Sequence, residues 1–107
     1  MDGYNGYAVG DFATGTDTVY SNTFNTTTNG DLIYSSVIMW KSGGATPTYG
    51  TGFSGLQNVA PGYFCGFFRV ASEYRIQAAA GSMQGTFGFT EAGGSMAGNC
   101  LAAAFKA

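Results

Sequence analysis

Carboxylates are the side chains of this sequence that could do catalytic chemistry. The 107-residue chain has no histidine, so the usual general base and the commonest metal ligand are both missing. A pair of carboxylates can hydrolyse glycosides, and the candidates are Asp11, Asp17, Asp31, Glu73 and Glu91. Asp17 and Asp31 lie in turn-like sequence, and Glu73 alternates with Arg75 on a face expected to be exposed. No set of nucleophile, base and orienting group can be assembled, so the sequence predicts a protein that is not an enzyme.

Motifs for metals, cofactors and nucleic acid are also missing. Calcium would need clustered acids, and the sequence has no Asp-x-Asp cluster. Two cysteines are too few for a zinc site. The glycine pairs lack the lysine and helix of a phosphate loop. With four Lys and Arg against six Asp and Glu, the chain has no basic stripe for a phosphate backbone. We therefore expect no metal, no cofactor and no nucleic-acid partner.

Cys65 and Cys100 are predicted to lie on two long strands, on the faces opposite the core. If those strands are neighbours, the two thiols can form a disulfide that closes a loop of about 35 residues and stabilises the fold by about 3 kcal/mol. The alternative is two inert, small apolar side chains.

Aromatic residues offer two candidate binding sites. Tyr63 and Phe67 fall on the same side of a predicted strand as Arg69, and if that side is exposed they form an apolar interaction patch. The alternative is that the second sheet or a loop covers them. A second group could stack on sugar rings, although core packing is the more frequent role of such residues; it comprises Trp40, Tyr49 and Phe53.

The stretch 63–77 is expected to position these residues. It alternates with period two, with Phe64, Phe68, Val70, Tyr74 and Ile76 on one face, which predicts a long strand with that face in the core. The run 82–90 alternates in the same way, with Met83, Gly85, Phe87 and Phe89 directed inward. Joined by the turn at Ala80-Gly81, the two runs are predicted to form a central antiparallel hairpin.

The rest of the chain predicts further strands. Residues 31–41 are apolar on both faces, which indicates burial on both sides or cover by a partner. Strands are also expected over 17–26, 48–56 and 97–105, with Leu101 and Phe105 on one side of the last. Residues 1–12, which include Tyr4 and Tyr7, are expected to form an edge strand or a strand exchanged between subunits. The sequence thus predicts one domain over 1–107, an all-β antiparallel sandwich of about seven strands without substantial helix.

The low number of charged residues indicates the environment in which such a protein functions. Only 9% of the residues are charged, whereas scattered charges normally keep the sheet edges of cytosolic monomers from pairing. No apolar run reaches membrane-spanning length. The composition therefore favours an ordered assembly in a virion or outside the cell.

Several segments of the sequence resemble a known family. The order TGTDTVYSNTFNTTTNGDLIY, TYGTGFSGLQNV, SEYRIQAAAGSMQGTFGF and NCLAAAFKA resembles the C-terminal half of jelly-roll or concanavalin-like β-sandwich domains of phage structural and bacterial secreted proteins. The resemblance covers roughly residues 13–107 and implies a fold and a virion or extracellular context, with no catalytic residue. It departs from the family in the aromatic run 64–68. It also implies that strands of the first half are missing and are supplied by a neighbouring subunit.

Two functional hypotheses follow. The first is a non-enzymatic structural subunit, a capsid-decorating or tail component or a filament subunit, that assembles with itself, and with other virion or surface proteins, by burying aromatic residues and adding strands between subunits. Tyr63, Phe67, Tyr4 and Tyr7 are its predicted partner-binding residues. The alternative is a lectin-like module that binds glycans through Trp40, Tyr49 and Phe53.

Overall fold

The protein is all-β in every part of the chain that the computed structural model describes, namely residues 3–12, 16–40, 46–59, 68–90 and 96–106. Ten strands alternate with turns, and the described ranges contain no helix. The strands are β1 (Gly3–Phe12), β2 (Thr16–Tyr20), β3 (Phe24–Asn25), β4 (Leu32–Trp40), β5 (Pro47–Tyr49), β6 (Ser54–Val59), β7 (Phe68–Ile76), β8 (Ser82–Met83), β9 (Thr86–Thr90) and β10 (Met96–Phe105).

The strands form two layers. The larger layer is a five-stranded antiparallel sheet with the order β1-β10-β4-β7-β6. The second layer consists of β2-β9-β5 and the two-stranded ladder β3-β8. Strands from the first half of the chain pair with strands from the second half in a nested order: β1 pairs with β10, β2 with β9, β3 with β8, and β4 with β7. This nesting is the order of a jelly roll, in which one long hairpin is folded over itself.

The core lies between the two layers. Its larger cluster joins Val37, Met39, Ala71 and Cys100 of the five-stranded sheet to Val19, Phe87 and Phe89 of the second layer. The smaller cluster joins Ile33, Ala102 and Ala104 to Phe24 and Met83, with Phe53 packed against it. Alternate residues of each strand enter this core, as the pleat requires. The inward positions predicted for 82–90 are thereby confirmed, because Met83, Gly85, Phe87 and Phe89 are all buried.

Ser21 and Gly85 mark the place where the second layer breaks into two ladders. The Ser21 N–H donates to the Gly85 carbonyl at 3.0 Å, and the Gly85 N–H donates to Ser21 Oγ at 3.0 Å. A Cβ at position 85 would collide with the Ser35 hydroxyl and lie 2.7 Å from Ser35 Cβ. Glycine is therefore required here because the two layers approach each other closely at this point.

The predicted central hairpin is wrong. The chain does turn at residues 78–81, but β7 pairs with β4 and β6 while β9 pairs with β2 and β5. The turn therefore carries the chain from one layer to the other, and β7 faces β9 across the core. Likewise, the predicted single strand over 48–56 is two strands in different layers, β5 and β6, separated by a turn at Gly50–Phe53.

The predicted inner and outer faces of β7 are reversed. Ala71 and Glu73 are fully buried between the layers, whereas Val70, Tyr74 and Ile76 are 39%, 38% and 60% exposed. The inner face of β7 carries one apolar side chain, Ala71, among charged ones, so hydrophobic alternation pointed to the wrong face. In β4 both faces carry apolar residues, and Ile33 and Val37 are buried while the opposite face is open. The expectation that 31–41 is buried on both faces is therefore wrong for the chain by itself, and cover by a partner stays a prediction.

The strand count also differs from the prediction of about seven. Three expected strands, 17–26, 48–56 and 82–90, are each divided in two, so the described ranges contain ten strands, or eight if β2 with β3 and β8 with β9 are counted as continuous. Across the described ranges, no helix has the length and hydropathy to span a bilayer.

Candidate functional site

One side of the five-stranded sheet is uncovered and carries large apolar residues. We call it the outer face and define it by the side chains of β4, β6, β7 and β10 that point away from the second layer. The register aligns Phe105, Leu32 and Ile76 in one row across the sheet, and Ile38, Val70 and Val59 in another. The eight exposed large apolar residues of this face are Leu32, Ile38, Val59, Val70, Tyr74, Ile76, Leu101 and Phe105.

No charged side chain is found among the described residues of the outer face. Between the apolar rows lie Ser36, Ser72 and Gln57, which are polar but uncharged. Strands spaced about 4.8 Å apart and rising about 3.3 Å per residue give this face dimensions of roughly 20 by 30 Å. With its polar residues included, this face is at the upper end of the patch sizes that monomeric proteins expose, about 300–600 Å².

Glu73 is buried between the layers and joins them. The prediction of a solvent face, with a cross-strand ion pair, is wrong for Glu73, because this residue is 0% exposed. Its Oε2 accepts the N–H of Gly50 at 2.8 Å, and its Oε1 accepts the N–H of Thr86 at 3.1 Å. Loss of hydration raises the pKa of the Glu73 carboxyl above its usual 4.5, and the two N–H donors oppose this rise.

A groove of about 320 Å³ opens next to this carboxyl, between the turn after β5 and strands β8 and β9. Gly50 and Thr86, whose N–H groups bind Glu73, both line it. Four of the eight lining residues have polar, uncharged side chains and one is cationic; the lining comprises Gly50, Thr51, Phe53, Arg75, Ser82, Met83, Gln84 and Thr86.

The Arg75 guanidinium is held in place within this groove. It lies 5.5 Å from the centre of the Phe53 ring, at cation–π distance, and its Nη1 donates to the Thr51 carbonyl at 3.5 Å. Its Nε is buried and has no hydrogen-bond acceptor. Gly52, with φ of 79°, completes the turn in which the Phe53 N–H donates to Gly50 at 2.9 Å. A Cβ on Gly52 would lie 3.4 Å from Arg75 Nη1, so the turn packs against the guanidinium.

The three aromatic residues predicted to stack on sugars are not all brought together. Trp40 pairs with Phe68, whereas Ser54, the neighbour of Phe53, pairs with Tyr74. Six positions along β7 separate the two places by about 20 Å. Tyr49 packs edge-on against Phe87, with ring centres 6.2 Å apart, and its ring fills the space over Gly55. Of the three, only Phe53 lines the groove.

The predicted partner-binding residues are placed as follows. Tyr63 and Phe67 lie outside the described residues. The side of the strand to which they were assigned continues in β7 as Ala71 and Glu73, which face the second layer, so that side is not a solvent face there. Residues 3–12 form an edge strand of the five-stranded sheet, in which Tyr4 pairs with Ala103 and Tyr7 lies at a register shift. Exchange of this strand between subunits stays a prediction.

The sulfur of Cys100 is buried in the core. Its expected place on the face opposite the core is wrong, because it is 0% exposed in the larger core cluster. Its Sγ lies 3.6 Å from Ser35 Oγ and 3.8 Å from the Gly85 carbonyl, and burial raises the pKa of this thiol to about 11. Cys65 lies outside the described residues, so the disulfide stays a prediction.

The candidate carboxylates lie in different parts of the fold. Asp11 lies in β1, Asp17 pairs with Phe89 in β2, and Asp31 is fully buried where the chain enters β4. Glu91 lies outside the described residues. No group of three or more Cys, Asp or Glu residues in the described ranges is placed to hold a metal ion.

The groove is not predicted from the sequence. For the outer face, the signal is present in the two-sided apolar pattern of residues 31–41, which predicts burial on both sides or cover by a partner. For the groove, no local signal exists, because its lining comes from three separate parts of the chain. Comparisons with protein-family models, with curated proteins and with solved structures returned no match.

Proposed function

We propose that this protein is a non-enzymatic structural subunit that assembles with copies of itself by burying the outer face of its five-stranded sheet. The observation that carries the proposal is the extent of that face and the lack of charge among its described side chains. Its area of roughly 600 Å², polar residues included, is about three quarters of the ~800 Å² per partner of a standard interface. Aromatic burial, through Tyr74 and Phe105, is part of this contact.

A second copy of the chain is the occupant that fits best. A face without charged side chains offers nothing to steer or select a charged partner. Two twisted sheets pack well face to face, and a twofold axis lets the same rows of side chains cover each other. Other virion or surface proteins remain the alternative partners, and finding one in place of a second copy would count against the proposal.

Strand addition at the sheet edges would extend such dimers into larger assemblies. The edge strands are β1 and β6, and all six residues of β6 are exposed and uncharged. The register shift between Gly55 and Gln57 bends β6 and limits the stretch that can pair. The proposal does not depend on missing strands, because the nested pairs from β1 to β10 already form both layers.

The context of the assembly is part of the proposal. Ten charged residues in the whole chain and an uncharged edge strand support a place in an ordered virion or extracellular assembly. Capsid decoration, tail component and filament subunit are the forms that fit this composition.

The test is the mass of the native protein by light scattering, with electron microscopy of the same sample. We expect a multiple of 11.1 kDa for the wild type. The double variant Ile38→Lys, Val70→Lys places two charges at paired positions of the outer face. Burying them unpaired costs about 3–5 kcal/mol, which weakens association by more than ~100-fold.

A matched control is Tyr20→Lys, which adds a charge at a 50% exposed position of β2 in the second layer. It should leave the assembly intact, and circular dichroism should show that all variants are folded. A wild-type monomer at high micromolar concentration, or equal dissociation by the control, would refute the proposed contact.

A further inference from the structure

We propose that the groove beside Arg75 binds a carboxylate-bearing sugar unit. This inference does not depend on self-assembly, because Arg75 is on the inner side of β7 and the outer face lies on the other side. The site would give the subunit an affinity for acidic saccharides. Its ligand class follows from one cation, a set of neutral polar side chains and the size of the groove.

The guanidinium supplies the recognition of a carboxylate. Arg75 is the one charged residue lining the groove, and its planar fork can form two parallel hydrogen bonds to a carboxylate. Contacts with Phe53 and the Thr51 carbonyl hold it in place, so less side-chain freedom is lost when a ligand binds. The long 3.5 Å bond to Thr51 leaves its N–H groups poorly satisfied by the protein itself.

The carboxylate of Glu73 is already hydrogen-bonded elsewhere. Glu73, two residues before Arg75 on the same face of β7, has both carboxylate oxygens engaged by backbone N–H groups, those of Gly50 and Thr86. Its burial also favours the neutral form of the carboxyl. The groove therefore keeps a net cationic character in a chain whose formal net charge is −2.

The other lining residues fit the hydroxyl groups of a sugar. Thr51, Ser82 and Thr86 provide hydroxyls, and Gln84 provides an amide whose Nε2 donates to the Ser21 carbonyl at 2.7 Å. That bond orients the Gln84 amide and leaves its oxygen to accept. The volume of about 320 Å³ is at the lower end of ligand sites, which suits one sugar ring.

Aromatic stacking is not the main contact in this site. The face of Phe53 toward Arg75 is occupied by the guanidinium. A neutral sugar would therefore lack the hydrogen bonds between a carboxylate and Arg75, and it could not stack on that face of the Phe53 ring instead. We therefore expect acidic sugars to bind more tightly than neutral ones.

The experiment is a titration of the ¹⁵N-labelled full chain with D-glucuronate, D-glucose and acetate, followed by amide chemical shifts. Glucuronate should bind in the millimolar range and shift the amides of 50–53 and 82–86. Glucose and acetate should each bind at least ~10-fold more weakly, because each lacks one of the two sets of contacts.

Two variants of β7 separate this site from a general charge effect. Arg75→Gln should weaken glucuronate binding by at least ~10-fold, because a hydrogen-bonded charge pair is lost. Arg69→Gln removes the same charge from the same strand, where Arg69 Nη1 donates to Asn58 Oδ1 at 2.6 Å, and should bind as the wild type does. Arg75→Lys keeps the charge without the fork and should fall between the two.

Several results would overturn the inference. One is that glucuronate leaves the amides of both segments unshifted. Another is equal binding of glucose, which would remove the role of the carboxylate, and a third is equal binding of acetate, which would remove the role of the sugar. Equal loss in Arg69→Gln would show that net charge, and not the groove, governs binding.

Discussion

Glu73 is expected to make the stability of this fold fall as the pH rises above about 4.5. The carboxyl is fully buried between the layers, and its pKa is raised above the usual 4.5 because burial disfavours the charged form more than two backbone N–H donors favour it. In the unfolded chain the group loses its proton near 4.5, whereas in the folded chain it keeps the proton to a higher pH. The folded state then binds more protons than the unfolded state, and stability declines with pH.

The pH window follows from this sign. Below 4.5 the carboxyl is protonated in both states and Glu73 contributes no pH dependence. Between 4.5 and the raised pKa of the folded state, stability is lost, and above that pKa the loss is complete and constant. Each pKa unit of difference corresponds to about 1.4 kcal/mol.

Glu73→Gln isolates this contribution. The amide is neutral at every pH, so the pH-dependent loss disappears. In place of two carboxylate oxygens it has one oxygen and an NH₂ group, so one of the partly buried N–H groups of Gly50 and Thr86 loses its acceptor at a cost of about 1 kcal/mol. Glu73→Ala leaves both N–H groups without an acceptor and adds a cavity, and should be less stable than Glu73→Gln by about 1–3 kcal/mol.

The assay is urea unfolding of the wild type and Glu73→Gln between pH 4 and pH 8. The difference between the two unfolding free energies removes the effect of other titrating groups. We expect the difference in unfolding free energy, wild type minus variant, to decrease as the pH rises. If this difference increases with pH, the two N–H donors affect the carboxyl more than burial does, and the assigned direction of the pKa shift is wrong.

Two further predictions concern the core between the layers. Gly85→Ala should destabilise the fold by about 1–3 kcal/mol through overpacking against Ser35. In urea unfolding, the double variant with Ser35→Ala should recover part of that loss. If the effects of the two substitutions simply add, the close contact between the two residues is contradicted. Cys100, with its thiol pKa raised to about 11, should resist alkylation at pH 8 in native Cys65→Ser protein and react after unfolding. Rapid native labelling would contradict its burial, and an intact mass 2 Da low in non-reduced wild type would instead establish the predicted disulfide.

The outer face shows what alternation could and could not predict. The apolar residues of β4 and β7 indicated strands, and strands formed there. Which face is inside depends on the second layer, which covers Ala71 and Glu73 and leaves Val70 and Tyr74 open. The burial of Glu73 could not be predicted from the sequence around it, because the N–H groups that bind its carboxylate belong to Gly50 and Thr86, in other parts of the chain.

The sequence alone determined the class of the fold. Strand propensity, period-two alternation and frequent glycine turns are local properties, and they predicted an all-β antiparallel sandwich that the structure confirms. Tertiary structure decided the layer to which each strand belongs, the placing of Cys100 in the core and the assembly of the groove around Arg75. These features depend on pairing between distant residues, and hydrogen bonds of a β-sheet join strands without regard to their separation in sequence.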